Sequence, residues 1–336
     1  MVLCVTHSND VFNTSLVIAS LEKMGIKTIR FNTDELLNSA LVTHKLVNGK
    51  MDVLLRINDK LYSYKNIKAV WFRKLWSPKI LDTIDQAYQN NVASEIRSSL
   101  FSFFNLLEKN TFCINKISQE LNVERDKFNQ LYCAKKSELL IPDTIVTSNF
   151  DELLHFYNAN NQTIIAKLQN ALSFAIQNAQ QFFPTTEINA SNVQMLEDTI
   201  RICPMIFQSN IQKAFELRIV FINGKCLTAK INATQSIHGK TDWRNSEENA
   251  TKWEKFELPP NQIEKLIKLM HSLNLIFGVI DMIVTPNNEF VFLEVNPSGE
   301  WGMLEKDLGL PISQTIANTI ANKIALPTKK QIETVK

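Results

Sequence analysis

Length, composition and charge already exclude several classes of protein. The chain has 336 residues, 45% apolar and 21% charged, which is typical of a globular protein of about two domains. Its net charge of +2 provides no bulk attraction to nucleic acid or to a membrane surface. Only 8 residues are glycine, and no two stand as Gly-x-Gly. Walker A, Rossmann and kinase glycine-rich loops are therefore excluded, because each needs glycines to bring backbone N–H groups against phosphate.

The sequence also argues against export, a membrane span and a zinc site. Its apolar runs are far shorter than the roughly 18 residues that cross a bilayer. The first residues lack the basic segment of a signal peptide. The five cysteines are scattered and never form Cys-x-x-Cys, so we expect reduced thiols in a cytoplasmic protein.

Strands and helices alternate in the first third of the chain. Strands predicted at residues 2–5 and 27–31 enclose a helix at 11–24, an order that favours a parallel sheet. Three further strands are predicted at 51–57, 60–64 and 68–73, the first two as a hairpin. Apolar residues at helical spacing then predict a core-facing helix over 83–108.

The later elements are mixed. A helix is predicted at 125–139 and a strand at 163–168, followed by a long, partly ordered loop at 169–192. Two hairpins follow, with strands at 216–221 and 225–231, and at 276–284 and 289–295. A polar stretch at 234–252 and a helix at 261–273 lie between the hairpins, and a last helix covers 311–325.

Two carboxylates lie inside the most apolar strands. Asp281 and Glu294 occupy the two strands of the last hairpin, where a buried carboxylate is costly unless a positive charge pairs with it. If the hairpin turns at Asn287-Asn288, Asp281 lies directly across from Glu294, and Asn296 shares their face. These oxygens would form a site of the kind that Mg²⁺ prefers, with room for phosphate. In the alternative, one carboxylate points to solvent at the sheet edge.

A second set of candidates is cationic. Lys127 lies near the start of the middle helix, and Lys167 lies in an apolar strand, where a lysine needs an anion or acid partner. Arg218 alternates with apolar residues in another strand, and Arg244 follows a tryptophan. Each alone is typical of a surface or snorkelling residue. Together with an acidic metal site, they describe phosphate binding by side-chain charge and Mg²⁺.

The ordered set of motifs resembles the ATP-grasp superfamily. The motifs are Arg125-Asp126-Lys127, Pro142-Asp143-Thr144, Lys167, Glu216-Leu217-Arg218, Asp242-Trp243-Arg244-Asn245, Asp281 and Glu294-Val295-Asn296-Pro297. The resemblance covers about residues 115–325. It implies a mixed α/β fold, with an N-terminal pre-ATP-grasp β-α-β domain followed by central and C-terminal α+β domains that sandwich ATP. We predict the boundaries of these three domains as 1–115, 116–205 and 206–336.

The same resemblance implies roles for single residues. ATP contacts are expected from Lys127 and Lys167, and adenine contacts from the segment Gln208, Ser209, Asn210 and Ile211. Mg²⁺ ligands are expected at Asp281, Glu294 and Asn296. Arg218 and Arg244 match the arginines near the γ-phosphate and the acyl phosphate. Glu216 is a weak candidate for the base, or else an ion-pair partner of Lys213 or a neighbouring arginine.

Three segments, at residues 30–34, 70–74 and 296–301, narrow the resemblance to the graspetide synthetases, the microviridin-type ligases that macrocyclise ribosomal peptides. The resemblance implies ATP and Mg²⁺ as cofactors and a precursor peptide of leader plus core as substrate. An Asp or Glu side chain of the core becomes an acyl phosphate, which a Ser or Thr hydroxyl attacks to form an ω-ester, or a Lys amine to form an ω-amide. The leader is expected near residues 234–252, with Asp242 and Trp243 as peptide contacts. A homodimer is compatible with the resemblance.

Two other functions fit parts of the pattern. A RimK-like ATP-grasp carboxylate–amine ligase, which adds an amino acid to a protein or peptide, shares the motif at residues 242–245. A catalytically silent nucleotide- or peptide-binding protein is the second, and the three predicted metal ligands argue against it. The segment Trp71-Phe72-Arg73 and the ending at Trp301 favour the macrocyclase.

Overall fold

The computed structural model describes residues 1–80, 83–169, 185–232 and 252–325. The chain divides into two compact units. The first contains Met1–Glu120, Leu275–Phe277 and Glu300–Lys336, and the second contains Leu121–Asn274 and Gly278–Gly299. The three domain boundaries expected from the sequence stay a prediction. Within the described ranges, no helix has the length and apolar character needed to cross a membrane.

The strands, in chain order, are β1 (Val2–Thr6), β2 (Thr28–Asn32), β3 (Ala40–Val47), β4 (Lys50–Ile57), β5 (Lys60–Ser63), β6 (Ala69–Phe72), β7 (Phe112–Ile114), β8 (Thr144–Thr147), β9 (Ile164–Lys167), β10 (Thr186–Ile188), β11 (Met205–Ser209), β12 (Phe215–Ile222), β13 (Lys225–Ile231), β14 (Trp253–Phe256), β15 (Phe277–Val284) and β16 (Phe290–Asn296). The α-helices are α1 (Asn13–Lys23), α2 (Gln86–Asn110), α3 (Ile117–Arg125), α4 (Lys127–Lys136), α5 (Phe150–Ala159), α6 (Pro260–Ser272), α7 (Gly302–Leu308) and α8 (Ile312–Ala325).

The first unit is built on a parallel sheet with strand order β2-β1-β6-β7. Every residue of β1 is buried, as expected for the central strand of a parallel sheet. The predicted β-α-β order is therefore confirmed. Helix α2 buries five residues of the apolar stripe that the sequence predicted and leaves the sixth, Val92, half-buried; the buried residues are Ile96, Leu100, Phe103, Phe104 and Leu107. A separate antiparallel sheet, β3-β4-β5, contains the predicted hairpin at Asn58-Asp59.

The second unit contains two sheets. The first is antiparallel, with order β10-β9-β11-β8, and packs around a core that includes Leu153, Tyr157, Ile164 and Phe207. Strand β10 lies where the sequence predicted only loop, so that prediction is wrong at Thr186–Ile188. Residues 170–184 of the same predicted loop lie outside the described residues.

The other sheet of the second unit has order β14-β13-β12-β15-β16. The hairpin of β12 and β13 turns at Asn223-Gly224, both with positive φ, as the sequence predicted. Strand β12 is an interior strand of this sheet, and all of its residues except Phe215 are buried. Strand β16 is at the edge, and its outward N–H at Phe292 donates to the backbone oxygen of Leu140, at 2.8 Å. That bond covers part of an edge that would otherwise be open to pairing.

Candidate active site

The two candidate carboxylates lie opposite each other on neighbouring strands. In the antiparallel pair of β15 and β16, Asp281 is the register partner of Glu294, and Val279 is the partner of Asn296. Residues two apart on a strand share a face, so Asp281, Glu294 and Asn296 lie on one side of the sheet. This is the pairing that the sequence predicted.

The pairing arises through a β-bulge that the sequence analysis did not foresee. From the turn, the register is Val284 with Phe290 and Met282 with Phe292, and it then shifts by one residue before Asp281. The turn itself is closed by a hydrogen bond from the N–H of Thr285 to the oxygen of Glu289, at 3.0 Å. The expected two-residue turn is therefore wrong, and the extra residue in β16 restores the expected partner. Bulges of this kind are over-represented beside active sites, where they re-aim side chains.

Each carboxylate is held by a cation. Lys127 Nζ lies 2.7 Å from Glu294 Oε2, and both side chains are about one quarter to one third exposed. Arg218 on β12 donates to both carboxylate oxygens of Asp281, at 3.0 and 3.2 Å, in a more buried setting. The sequence argument that these carboxylates require positive partners is thus met by two of the predicted phosphate-binding residues.

Helix α4 places Lys127 beside Glu294. Asp126 is the N-cap of this helix, and its carboxylate accepts from the N–H of Asn129 at 2.9 Å, so Lys127 is the first helical residue. Gln130, on the same helix face, is buried and accepts from the N–H of Val295 at 2.9 Å. Its amide group donates to the oxygen of Val123 at 2.7 Å. The helix is therefore bonded to β16 at the residue next to Glu294.

A small pocket of about 40 Å³ opens in the second unit, between its two sheets. Its apolar walls come from Ile165, Ile211, Ile283 and Leu293, and Lys167 lines it as well. Ile283 is two residues from Asp281, so the pocket is on the carboxylate face of the sheet. The lining is mixed, because Lys167, Lys213 and Glu216 add charged groups to these apolar walls.

The predicted adenine segment lines this pocket and is bonded to the strand beside it. Gln208, Ser209, Asn210 and Ile211 all contribute to the wall. The amide of Gln208 donates to Thr144 Oγ1 at 3.0 Å, and the N–H of Ser209 donates to the oxygen of Asp143 at 3.0 Å. The motif Pro142-Asp143-Thr144 therefore fixes the position of the segment.

Glu216 also lines the pocket, paired with Lys213 at 2.6 Å. Both side chains are almost buried, at 11% and 6% exposed. The sequence named this pair as the alternative to a base role for Glu216. Gln130 is a site residue that the sequence prediction missed, and Lys213 was named there only as a partner of Glu216. Gln130 was detectable as the residue one helical turn after Lys127.

The oxygen donors fit a hard divalent cation. Within the described ranges, no three His, Cys, Asp or Glu side chains cluster as a metal site, so two carboxylates need the Asn296 amide as third ligand. Asn296 is exposed, and its oxygen accepts from the N–H of Ser298 at 3.0 Å. The Ser298 hydroxyl also lies 3.5 Å from this oxygen, so both groups of Ser298 orient the amide, whose oxygen is of the hard kind that Mg²⁺ takes as a ligand.

Three predicted site residues belong to a part of the chain that the structure does not describe. Arg244, Asp242 and Trp243 lie at positions outside the described residues, as does most of the expected leader contact at 234–252. The other predicted residues all belong to the second unit.

In the first unit, Glu300 joins two of the segments that narrowed the resemblance, 70–74 and the end of 296–301. Glu300 accepts from Asn13 at 3.0 Å and forms ion pairs with Arg73 at 2.5 Å and Lys74 at 3.2 Å. The side chain of Arg73 is only 2% exposed, and Asp10 lies 3.7 Å from it. Burial raises the pKa of Asp10, but the hydrogen bond from the Thr14 hydroxyl and the Arg73 charge outweigh burial and hold that pKa below its usual value.

Comparison with known proteins extends over both units. The family described as MvdD pre-ATP grasp domain matches residues 1–121, and the RimK-like ATP-grasp domain matches residues 125–320. No match was found among curated protein sequences. A Chryseobacterium gregarium RiPP-associated ATP-grasp ligase, in complex with ADP and a leader and core peptide, is 30% identical over 97% of each chain, with a TM-score of 0.89.

Two macrocyclases of Microcystis aeruginosa MRC are similar to the same extent. MdnC, bound with the precursor peptide MdnA, is 31% identical over 96% of this chain and 99% of its own, with a TM-score of 0.84. MdnB is 31% identical over 95% and 98%, with a TM-score of 0.80. The chain therefore belongs to the ATP-grasp superfamily, among its RiPP-associated, microviridin-type members, and is an ATP-dependent ligase.

Proposed function

We propose that the chain is a macrocyclase that uses ATP and Mg²⁺ to form rings in a ribosomally made precursor peptide. One observation carries the proposal: Asp281 and Glu294 face each other on the pocket side of the sheet, each within hydrogen-bond distance of a cation. That arrangement suits the transfer of a phosphoryl group, which needs positive charge and positioning more than covalent help from the enzyme.

The residues divide into three tasks. The segment at 208–211 and the apolar walls would hold the base, and Lys167 and Lys127 would contact the phosphates. Asp281, Glu294 and Asn296 would hold Mg²⁺. When bound, Mg²⁺ and ATP supply the transferable phosphoryl group and the charge that stabilises its transfer.

The chemistry on the peptide has two steps. A carboxylate oxygen of an Asp or Glu side chain takes the phosphoryl group, and ADP leaves. A Ser or Thr hydroxyl, or a Lys amine, then attacks the carbonyl carbon, loses its proton, and phosphate leaves. The peptide loses one water for each ring, as an ω-ester or an ω-amide.

Arg218 and Arg244 are proposed to stabilise the charge on the carbonyl oxygen and on the departing phosphate. Glu216 is the proposed base, although its 2.6 Å ion pair with Lys213 favours a binding role in the pocket wall. Asp242 and Trp243 are proposed to contact the peptide.

Similarity supports a peptide substrate. The ligase from Chryseobacterium gregarium contains a leader and core peptide, and MdnC contains its precursor peptide. The five cysteines, all within the described ranges, are free thiols, which supports the proposed cytoplasmic location. A homodimer stays part of the proposal.

Mass spectrometry of a candidate precursor peptide tests this function. With enzyme, ATP and Mg²⁺, each ring should lower the peptide mass by that of one water. The double variant Asp281→Asn, Glu294→Gln should leave the peptide unchanged while its circular dichroism matches the wild type. Unchanged turnover by that variant would contradict the metal assignment.

A second function is favoured by the RimK-like family match at residues 125–320. A carboxylate–amine ligase would add an amino acid, so the peptide mass would rise rather than fall. The same spectrum therefore separates the two functions.

A further inference from the structure

We propose that, when no nucleotide is bound, the ammonium group of Lys127 takes the position beside Glu294 that the metal ion would occupy. Binding of the divalent cation is thereby coupled to binding of the nucleotide. This inference rests on the proposed function, since it takes Glu294 as a metal ligand and Lys127 as a phosphate contact. It adds that the two roles compete for one pair of side chains.

The geometry of the pair is imposed by the fold. Lys127 Nζ lies 2.7 Å from Glu294 Oε2, with the two side chains 26% and 31% exposed. Lys127 is the first residue of α4, and Gln130 bonds that helix to Val295, the neighbour of Glu294. By comparison, the pair of Lys268 and Glu138 is 3.0 Å long but more than half exposed on both sides.

An ammonium and a divalent cation cannot share this carboxylate at low cost. Both require the oxygens of Glu294, and at separations of a few Å in a partly buried setting their repulsion is strong. The carboxylate of Asp281 is likewise paired with a cation, because Arg218 donates to both of its oxygens. Both carboxylates are therefore paired with a positive charge from the protein itself.

A polyphosphate changes this balance. It offers Lys127 a second anion at the neighbouring pocket, and it brings further oxygen ligands for the metal. As Lys127 turns to the phosphate, Glu294 is released to the cation. Metal and nucleotide should then bind together, and the metal alone should bind weakly.

The test is a titration of nucleotide-free protein with Mn²⁺, which takes the same oxygen ligands as Mg²⁺. The bound fraction of Mn²⁺ is measured by electron paramagnetic resonance. Wild-type protein should bind Mn²⁺ weakly. Lys127→Met removes the charge at similar length and should raise Mn²⁺ affinity about tenfold, as expected for the loss of roughly one close repulsion. The matched control Lys268→Met should leave it unchanged.

Two results would overturn the inference: tight Mn²⁺ binding by wild-type protein, or an affinity in Lys127→Met that is equal or lower. If Lys127→Met does not fold, Lys127→Gln, which keeps a hydrogen-bond donor without the charge, decides the question by the same criterion. Binding of ADP with Mg²⁺ is measured separately. Nucleotide binding with no gain in Mn²⁺ affinity refutes only this inference, whereas no nucleotide binding at all refutes the proposed function.

Discussion

Replacing Gln130 by methionine should destabilise the second unit and weaken the site. Gln130 is 1% exposed and makes two buried hydrogen bonds, from the N–H of Val295 and to the oxygen of Val123. Methionine has a similar volume, but it has no N–H group to donate to Val123 and only a weak acceptor for the N–H of Val295. The change therefore tests the claim that this one side chain bonds α4 to β16.

The expected cost follows from the two groups left without a partner. A buried backbone group that loses its hydrogen bond costs about 1–3 kcal/mol, and methionine fills most of the space. For the two groups together, we therefore expect the free energy of unfolding to fall by about 2–6 kcal/mol. Because Lys127 lies on the same helix face, affinity for ADP with Mg²⁺ should fall as well.

Urea denaturation followed by circular dichroism measures this loss. The matched control is Gln314→Met, an exposed helical glutamine with one hydrogen bond, to Asn318 at 3.2 Å. That control should change stability by less than about 0.5 kcal/mol. A Gln130→Met variant as stable as the control would refute the structural role of Gln130.

Three further changes test other parts of the structure. Burial lowers the pKa of the His7 imidazole. As the pH falls, the unfolded chain therefore binds a proton at this imidazole at a higher pH than the folded chain does. Stability should therefore fall as pH drops below about 6.5, and His7→Gln should reduce that slope in urea titrations; equal slopes would contradict it. Gly299→Ala should cost about 1–3 kcal/mol, because its Cβ would lie 2.5 Å from the Cβ of Val279, and urea denaturation that shows wild-type stability would disprove this close approach. Glu300→Gln should cost about 1–2 kcal/mol by removing a charge that faces buried Arg73, and a loss too small to measure would show that this pair is dispensable.

The sequence predicts the long, strongly patterned elements well. The stripe on α2 and the buried strand β12 follow from apolar periodicity alone. Short strands were not predicted, because three or four residues carry too little hydrophobic pattern. Examples are β7, which is Phe112–Ile114, and β8, which is half-buried throughout. The helix expected at 125–139 begins at Lys127 and ends at Lys136, and α3 before it was not predicted. Asp126 separates the two helices as an N-cap, a signal that is hard to recognise when helical residues stand on both sides.

In the candidate site, the predicted pairing of Asp281 with Glu294 is correct although the turn from which it was predicted is wrong. The free-energy cost of burying a carboxylate in an apolar strand singled out Asp281 and Glu294, and in the structure these two residues are register partners. The turn and the bulge were not predictable, because a one-residue shift near the turn and another in the strand cancel at this position. The contact of Gln130 with Val295 joins residues far apart in the sequence, so its spacing of three from Lys127 marks the residue but not its partner. Lys213 and Glu216 are only three residues apart, and the sequence did name their pairing.

The most direct test of the central claim follows the oxygen atoms of the peptide. A precursor peptide carrying a heavy-oxygen label in its Asp and Glu side chains is incubated with the enzyme, ATP and Mg²⁺, and the released phosphate is analysed by mass spectrometry. Activation as an acyl phosphate predicts that each ring transfers one labelled oxygen to phosphate. Rings formed with unlabelled phosphate would contradict the account.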